Sequence, residues 1–176
     1  MDDLSAIQKC LAGDWETFRH LVEKYQARAV GHALAIVGAR EDALDAVQEA
    51  FLDAFQALGR FDTGRQFYPW LYAILRNRCF KLLASRKRLE VSSLEQSEIQ
   101  TEILAPSSRL SPEELLTLEQ ALLALSPEDR ELITLKHLDG LSYRDLAEML
   151  GVAEGTVMSR LYYARRRLRE HFTLVR

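Results

Sequence analysis

The stretch GTVMSRLYYARRRLREHF, residues 155–172, gathers five arginines, two adjacent tyrosines and a methionine. Guanidinium groups form bidentate pairs with guanine edges and with phosphates, so such a run suits a polyanionic partner. Val157, Leu161, Ala164 and Leu168 follow one another at helical spacing and define an inward stripe. Thr156, Ser159, Arg160, Tyr163 and Arg167 then face outward, with Met158, Tyr162, Arg165, Arg166 and Arg169 on the flanks. The arginine run alone would equally suit a solvated cationic face favoured by the helix dipole. Its context tips the balance toward DNA.

A second constellation lies between residues 61 and 88. Phe61, Phe67, Tyr68, Trp70, Tyr72 and Phe80 are interleaved with Arg65, Arg76, Arg78, Lys81, Arg86, Lys87 and Arg88. Rings stack on unpaired bases while cations follow the backbone, which is how single strands are held. Trp70 and Tyr72 are expected in the core; Phe67 and Tyr68 are expected in a loop and available to a base. A third constellation is EDALDAVQEAFLDAFQAL. Leu44, Val47, Phe51, Phe55 and Leu58 form its inward stripe, leaving Asp42, Asp45, Gln48, Glu49, Leu52 and Asp53 on an outward acidic face. Taken alone, such a face is usually just solvated.

The elements that must position these groups are helices. The 176 residues are 48% hydrophobic and dominated by helix formers, with only eight glycines and four prolines, which predicts an all-α chain of two small helical domains. Residues 1–88 form the first. Pro69 sits in the first turn of a helix running to about Arg88, with Leu71, Ile74, Leu75, Leu82 and Cys79 inward. Residues 89–111, with six serines and a proline after Glu90, read as a flexible linker. Residues 112–176 form the second domain, its helices opening on Ser-Pro followed by acidic residues that complement the positive dipole end. Ser142-Tyr143-Arg144-Asp145 is a capping box, Gly151 suits a left-handed turn, and a helix starts at Gly155 or Thr156. Together these predict a helix-turn-helix.

Composition removes several function classes. No run approaches the roughly 20 apolar residues of a membrane span, and the acidic N-terminus is unlike a signal peptide, so a cytoplasmic protein without membrane insertion is expected. Cys10 and Cys79 show no metal or disulfide spacing, and His20, His32, His137 and His171 are scattered, so neither metal, cofactor nor catalytic site is indicated. The formal charge of −3 hides a segregation: residues 1–60 carry −4, residues 61–90 +5, residues 91–141 −7 and residues 142–176 +3. A polyanion meets the segments rather than the total.

Both halves resemble the extracytoplasmic-function (ECF) group of bacterial sigma factors, in the sigma-70 family. DALDAVQEAFLDAF is similar to the family's core-binding helix, and the Phe61 to Asn77 stretch, with its F-x-P-W-L-Y…R-N pattern, to its melting segment. LSPEDRELITL, LSYRDLAEMLGV and GTVMSRLYYARRRL are similar to region four. The resemblance implies a sigma factor without enzymatic activity that brings core RNA polymerase to promoter DNA and helps open it. It implies that Asp42, Asp45, Gln48, Glu49 and Leu52 dock on the clamp helices of the largest polymerase subunit. It further implies that Phe61, Arg65, Phe67, Tyr68, Trp70, Arg76, Asn77 and Lys81 meet the minus-ten element. Arg144, Thr156, Met158, Ser159, Arg160, Tyr162, Tyr163, Arg166 and Arg167 would meet the minus-thirty-five element. An anti-sigma factor is implied as a further partner. Many relatives carry cations at positions 158 and 163 and Asp at 81, so Met158, Tyr163 and Lys81 bear on promoter preference.

The promoter elements in such a family lie roughly 50 Å apart, taking about 34 Å per turn. A free coil of about 23 residues averages only about 25 Å, against about 75 Å fully extended. The linker must therefore be stretched on polymerase. A conventional helix-turn-helix regulator with a sensing N-terminal half would instead bind duplex DNA by itself.

Overall fold

The computed structural model describes residues 1–90 and 111–175, and among these every regular element is helical. Helix α1 spans Asp3–Leu11, and the Asp2 carboxylate at its N-cap accepts the Ser5 N–H at 2.8 Å. A single 3₁₀ turn, Trp15–Thr17, leads into α2, Phe18–Val37, which stops at Gly38 with φ 78°. Helices α3, Arg40–Ala57, and α4, Phe67–Glu90, complete the first unit.

The inward stripe of α3 differs from the one its large residues suggest. Ala43, Ala46, Ala50 and Ala54 are buried beside Val47 and Phe51, whereas Leu44 is 44% exposed. A seam of methyl side chains lets α2, α3 and α4 approach closely, and the larger Leu44 rotates out to solvent. Helix α4 begins two residues before Pro69, so Phe67 and Tyr68 belong to its first turn rather than to a loop, and both are buried. Leu71, Tyr72, Leu75 and Cys79 form its inner face as expected, and Trp70 is half-buried.

The second unit holds α5, Pro112–Leu123, α6, Pro127–His137, α7, Tyr143–Leu150, and α8, Glu154–Val175. Ser111 and Ser126 cap α5 and α6, each with proline at the first helical position, where its missing N–H costs nothing. The capping box of α7 is reciprocal: Asp145 N–H donates to Ser142 Oγ at 3.1 Å, and Ser142 N–H to the Asp145 carboxylate at 3.1 Å. Gly151, φ 67°, turns the chain into α8, which starts one residue ahead of Gly155. Leu146, Val157, Leu161 and Ala164 have no exposed surface and seal the two helices together. Residues 91–110, most of the expected linker, lie outside the described residues.

The two units touch. Helix α6 packs along α2 and α7 reaches α4, so the buried side chains form one continuous cluster.

The turn glycines separate backbone from packing effects. Nothing lies within 4 Å of a Cβ at either Gly151 or Gly155, but only Gly151 has positive φ. Gly151→Ala should destabilise the protein by about 1 to 2 kcal/mol through left-handed strain, whereas Gly155→Ala should be neutral or stabilising. Denaturant titration of both variants checks this; equal effects would remove the turn argument.

Candidate nucleic-acid interface

Helix α8 presents its outer face as its spacing requires. Met158, Ser159, Arg160, Tyr162 and Tyr163 are exposed on one side of α8, Thr156 is half-buried, and the two tyrosine rings meet edge to face at 5.3 Å. Among the described residues no salt bridge holds Arg160 or Arg144, so both guanidinium groups remain available to an incoming polyanion. The trailing arginines are engaged. Arg166 Nε pairs with Glu170 at 2.9 Å. Arg167 forks onto Asp129 of α6, Nε to Oδ2 at 2.6 Å and Nη2 to Oδ1 at 2.8 Å, tying α8 to its own unit. Arg167 is thus a brace of the domain here, where the sequence offered it as a DNA contact.

The stretch expected to melt DNA divides into buried rings and exposed polar groups. Phe61, Phe67 and Trp70 pack with centroids 5.0 to 5.8 Å apart, and Tyr25 closes on Phe67 and Tyr68. Phe61, Phe67 and Tyr68 are therefore core side chains in this conformation, against the expectation that Phe67 and Tyr68 stand free for a base. Their rings bury far more area against one another than a loop would allow. Arg65, Asn77 and Lys81 stay exposed, with Arg65 Nε 3.4 Å from Asp62. Between α3 and α4 lies an open cleft of about 360 Å³, lined by Asp53, Ala57, Ile74, Asn77, Arg78 and Lys81.

On α3, Asp45, Gln48, Glu49 and Leu52 form the exposed face foreseen, with Leu52 59% exposed. Its cationic neighbours come from α4. Arg78 pairs with Glu49 at 2.6 Å and forks onto Asp53 at 2.6 Å twice, and this hydrogen bonding holds the Asp53 carboxyl below the usual carboxylate range. Asp42 is partly covered by an ion pair with Arg86. Sequence reasoning missed Leu44, exposed one turn before Gln48, and Trp15, exposed and edge-on to Phe55 at 5.5 Å. An isolated tryptophan beside a glycine-aspartate turn was the available signal.

A further polar constellation joins the units, and no motif announced it. Glu131 of α6 accepts Arg76 Nε at 2.6 Å and Nη2 at 3.2 Å, and the Tyr72 hydroxyl donates to the same carboxylate. Asp139 accepts Arg28 at 3.0 and 3.3 Å and His32 Nε2 at 2.7 Å. With its proton on Nε2, His32 accepts the Tyr68 hydroxyl at Nδ1, 2.7 Å away, so both ring nitrogens of His32 are satisfied. Burial alone would raise the Asp139 carboxyl, but the hydrogen bonds from His32 and Arg28 prevail and hold it below the usual range. Burial, then the Glu131 charge, pushes the Tyr72 phenol well up. Arg130 has no carboxylate partner. It donates to the carbonyls of Ala35, 2.8 Å, Ile36, 3.1 Å, and Leu123, 3.0 Å, at the ends of α2 and α5. Arg76, a candidate minus-ten residue, is consequently occupied by the second unit.

No three His, Cys, Asp or Glu side chains among the described residues are grouped to hold a metal ion, and no described helix is long and apolar enough to cross a membrane.

An exposed cationic helix behind a left-handed glycine turn, coupled to a helical unit with an acidic outer face, makes a two-part helical protein with a helix-turn-helix. Comparison with known proteins narrows the class. The family model for sigma-70 region 2 matches residues 21–89, and that for sigma-70, region 4 matches residues 115–168. The chain is 33% identical to the ECF RNA polymerase sigma-E factor of Escherichia coli K12 over 175 residues, covering 94% of this chain and 91% of that protein. It is 32% identical to the RNA polymerase sigma-H factor of Pseudomonas aeruginosa over 173 residues, covering 93% and 90%. The solved sigma factor RpoE in complex with the anti-sigma factor NepR from Bartonella quintana superposes with a TM-score of 0.73 at 28% identity, covering 90% of this chain and 98% of that one. CnrH, solved with the cytosolic domain of CnrY, shares the fold at a TM-score of 0.68 and 24% identity, covering 96% and 95%. The chain belongs to the extracytoplasmic-function group of the sigma-70 family.

The depressed Asp139 carboxyl gives a signed pH dependence. A lowered carboxylate contributes stability fully above its ordinary pKa, about 3.9, and loses it as pH falls through the native value. The difference in unfolding midpoint between the wild type and Asp139→Asn should therefore persist at neutral pH and shrink below about pH 4. Thermal melts across pH read it directly, and a gap that grows in acid would reverse the assignment.

Proposed function

We propose that this sigma factor docks on the clamp helices of the largest polymerase subunit through the outer face of α3, opens the minus-ten element beside α4 and reads the minus-thirty-five element with α8. The boundaries that go with this are 1–88 for the polymerase-binding and melting domain, 89–111 for the linker and 112–176 for the reading domain. The protein supplies no catalytic group of its own and acts in the cytoplasm, where its polymerase works. The observation that carries the reading is the simultaneous exposure of two unlike faces, one acidic and apolar on α3 and one aromatic and cationic on α8.

On α3, Asp45, Gln48, Glu49 and Leu52 form the centre of the docking surface. Leu44 and Trp15 extend it at either end, so an apolar line with an acidic rim meets the polymerase. Desolvated Leu and Trp side chains give such a surface its affinity, while the carboxylates select basic partners. The cleft between α3 and α4 suits an extruded base. Ile74 supplies an apolar floor, the Asn77 amide can pair with a base edge, and Lys81 and Arg65 stand where phosphates would pass. On α8, Met158 and Tyr163 favour a thymine methyl or a water-bridged contact over a charged grip. An anti-sigma factor covering these faces is proposed by analogy with RpoE, which was solved in complex with NepR.

A gel shift with and without core polymerase tests the function. Promoter binding should be weak until core is added; tight binding without core would favour a conventional regulator. Leu52→Ala and Trp15→Ala should each lower affinity for core by about 1 to 3 kcal/mol, read by titration, with circular dichroism unchanged. Arg160→Ala should cost about 1 to 3 kcal/mol at preferred promoters. An equal loss on every sequence would make Arg160 a phosphate contact.

A further inference from the structure

The cleft between α3 and α4, offered above to an extruded base, has a carboxylate in its wall. Asp53 lines it together with Ile74, Asn77, Arg78 and Lys81. A bare carboxylate there would repel every phosphate that enters with the base, so a cleft that takes a strand needs that charge offset. Asp53 does not shed it by taking up a proton. The hydrogen bonds from Arg78 hold its carboxyl below the usual range and keep it ionised at neutral pH.

Arg78 stands where the offset is needed. Positions 49 and 53 lie one turn apart on α3, so their carboxylates share a side of the helix. Arg78 reaches across from α4 and spans both: Nε and Nη2 fork onto the two Asp53 oxygens, each at 2.6 Å, and Nη1 meets Glu49 at 2.6 Å. All three guanidinium nitrogens are thereby committed to carboxylates. Glu49, Asp53, Arg78 and Lys81 carry −1, −1, +1 and +1, which sum to zero; without Arg78 the sum is −1. Lys81 alone cannot offset two carboxylates. The Arg78 and Asp53 side chains are each 34% exposed, and ion pairs open to water to that extent contribute little to folding, so stability is a weak reason for a clamp of three nitrogens.

We propose that Arg78 is a positioning residue for strand binding: by clamping Asp53 and Glu49 it strips the cleft wall of negative charge, so that Asn77 and Lys81 can receive a nucleotide, and it does so without touching the strand itself. This rests on the sigma-factor reading above and gives a role to a residue that reading does not use.

The test is fluorescence anisotropy of the full chain with a labelled mixed-sequence single-stranded oligonucleotide over a range of salt concentrations. Arg78→Ala should weaken binding about fivefold or more, the effect of one uncompensated charge a few ångströms away even in water. Adding Asp53→Asn returns the local sum to zero and should restore the wild-type affinity to within about twofold. The dependence of log affinity on log salt should then match that of the wild type, because no phosphate contact has been lost. An arginine that gripped a phosphate would instead take about 0.7 from that slope, and no change at Asp53 would give it back. Should Arg78→Ala melt too low for the assay, Arg78→Gln, which keeps a hydrogen bond to Asp53 without the charge, should show the same loss and the same rescue. Lys81→Ala separates this proposal from the reading beneath it. If Lys81→Ala leaves affinity unchanged, the strand does not use the cleft, and both fall. If Lys81→Ala weakens binding while Arg78→Ala does not, the cleft stands and the role of Arg78 falls. A double variant as weak as Arg78→Ala alone would overturn the proposal by making Arg78 a direct contact.

Discussion

The guanidinium of Arg130 donates to the last carbonyls of α2 and of α5, two helix ends whose orphan acceptors and negative dipoles would otherwise face a dry interface. Its neighbours on either side extend the pattern in other directions: Asp129 braces α8 through Arg167, and Glu131 crosses to Tyr72 and Arg76. Successive helix positions point about 100° apart, so burying three in a row requires α6 to be surrounded on all sides. Each charge arrives with its partners, since an unpaired one in that setting would cost several kcal/mol. Burial depresses the Arg130 pKa, a cost that the three carbonyls offset. Arg130 and Glu131 thus tie the two units together through directional contacts, while Asp129 holds α8 within the second unit.

Much of the architecture was legible in the amino-acid sequence because it depends on local rules. Ser111, Ser126 and Ser142 cap helices where hydroxyl-proline and capping-box patterns put them, and Gly151 turns the chain where only glycine is unstrained. The exposed face of α8 followed from a clear 3.6-residue stripe. The failures have separate causes. In α3 the stripe of large residues misled, because the buried seam is alanine, and alanine carries little weight in a hydrophobic pattern. Phe67 and Tyr68 looked like loop residues because Pro69 marks a helix start, yet proline is equally at home in the first turn, and the helix begins ahead of it. The ion pairs of Glu131 and Arg167 were not foreseen: acidic residues at a helix start and basic ones at its end are explained well enough by the dipole, and nothing local reveals a partner 55 or 38 residues away. The interdomain network is a property of two surfaces, and a single sequence displays neither.

The alternating charge blocks acquire a structural meaning here. The basic 61–90 block and the acidic 91–141 block are not merely separate polarities; Arg76 of one meets Glu131 of the other across the interface, so part of the segregated charge is neutralised within the free molecule. What remains outward is selective. On α3 the residual charge is acidic and framed by leucine, while on α8 it is cationic and framed by tyrosine. A chain with net charge −3 can thus present a basic helix face and an acidic one without the two collapsing onto each other, because each unit's own partners hold the inner charges.

The central claim is that Arg130 and Glu131 of α6 hold the two units together. Energy transfer between dyes at Lys9→Cys on α1 and Arg169→Cys on α8 reads that distance most directly. The native thiols do not compete for the label: Cys10 and Cys79 are buried, and burial pushes the Cys79 thiol up to about 12. High transfer that falls when Arg130→Ala and Glu131→Ala are introduced is the predicted result. Low transfer in the otherwise unchanged protein, or high transfer that these substitutions leave unchanged, would contradict it.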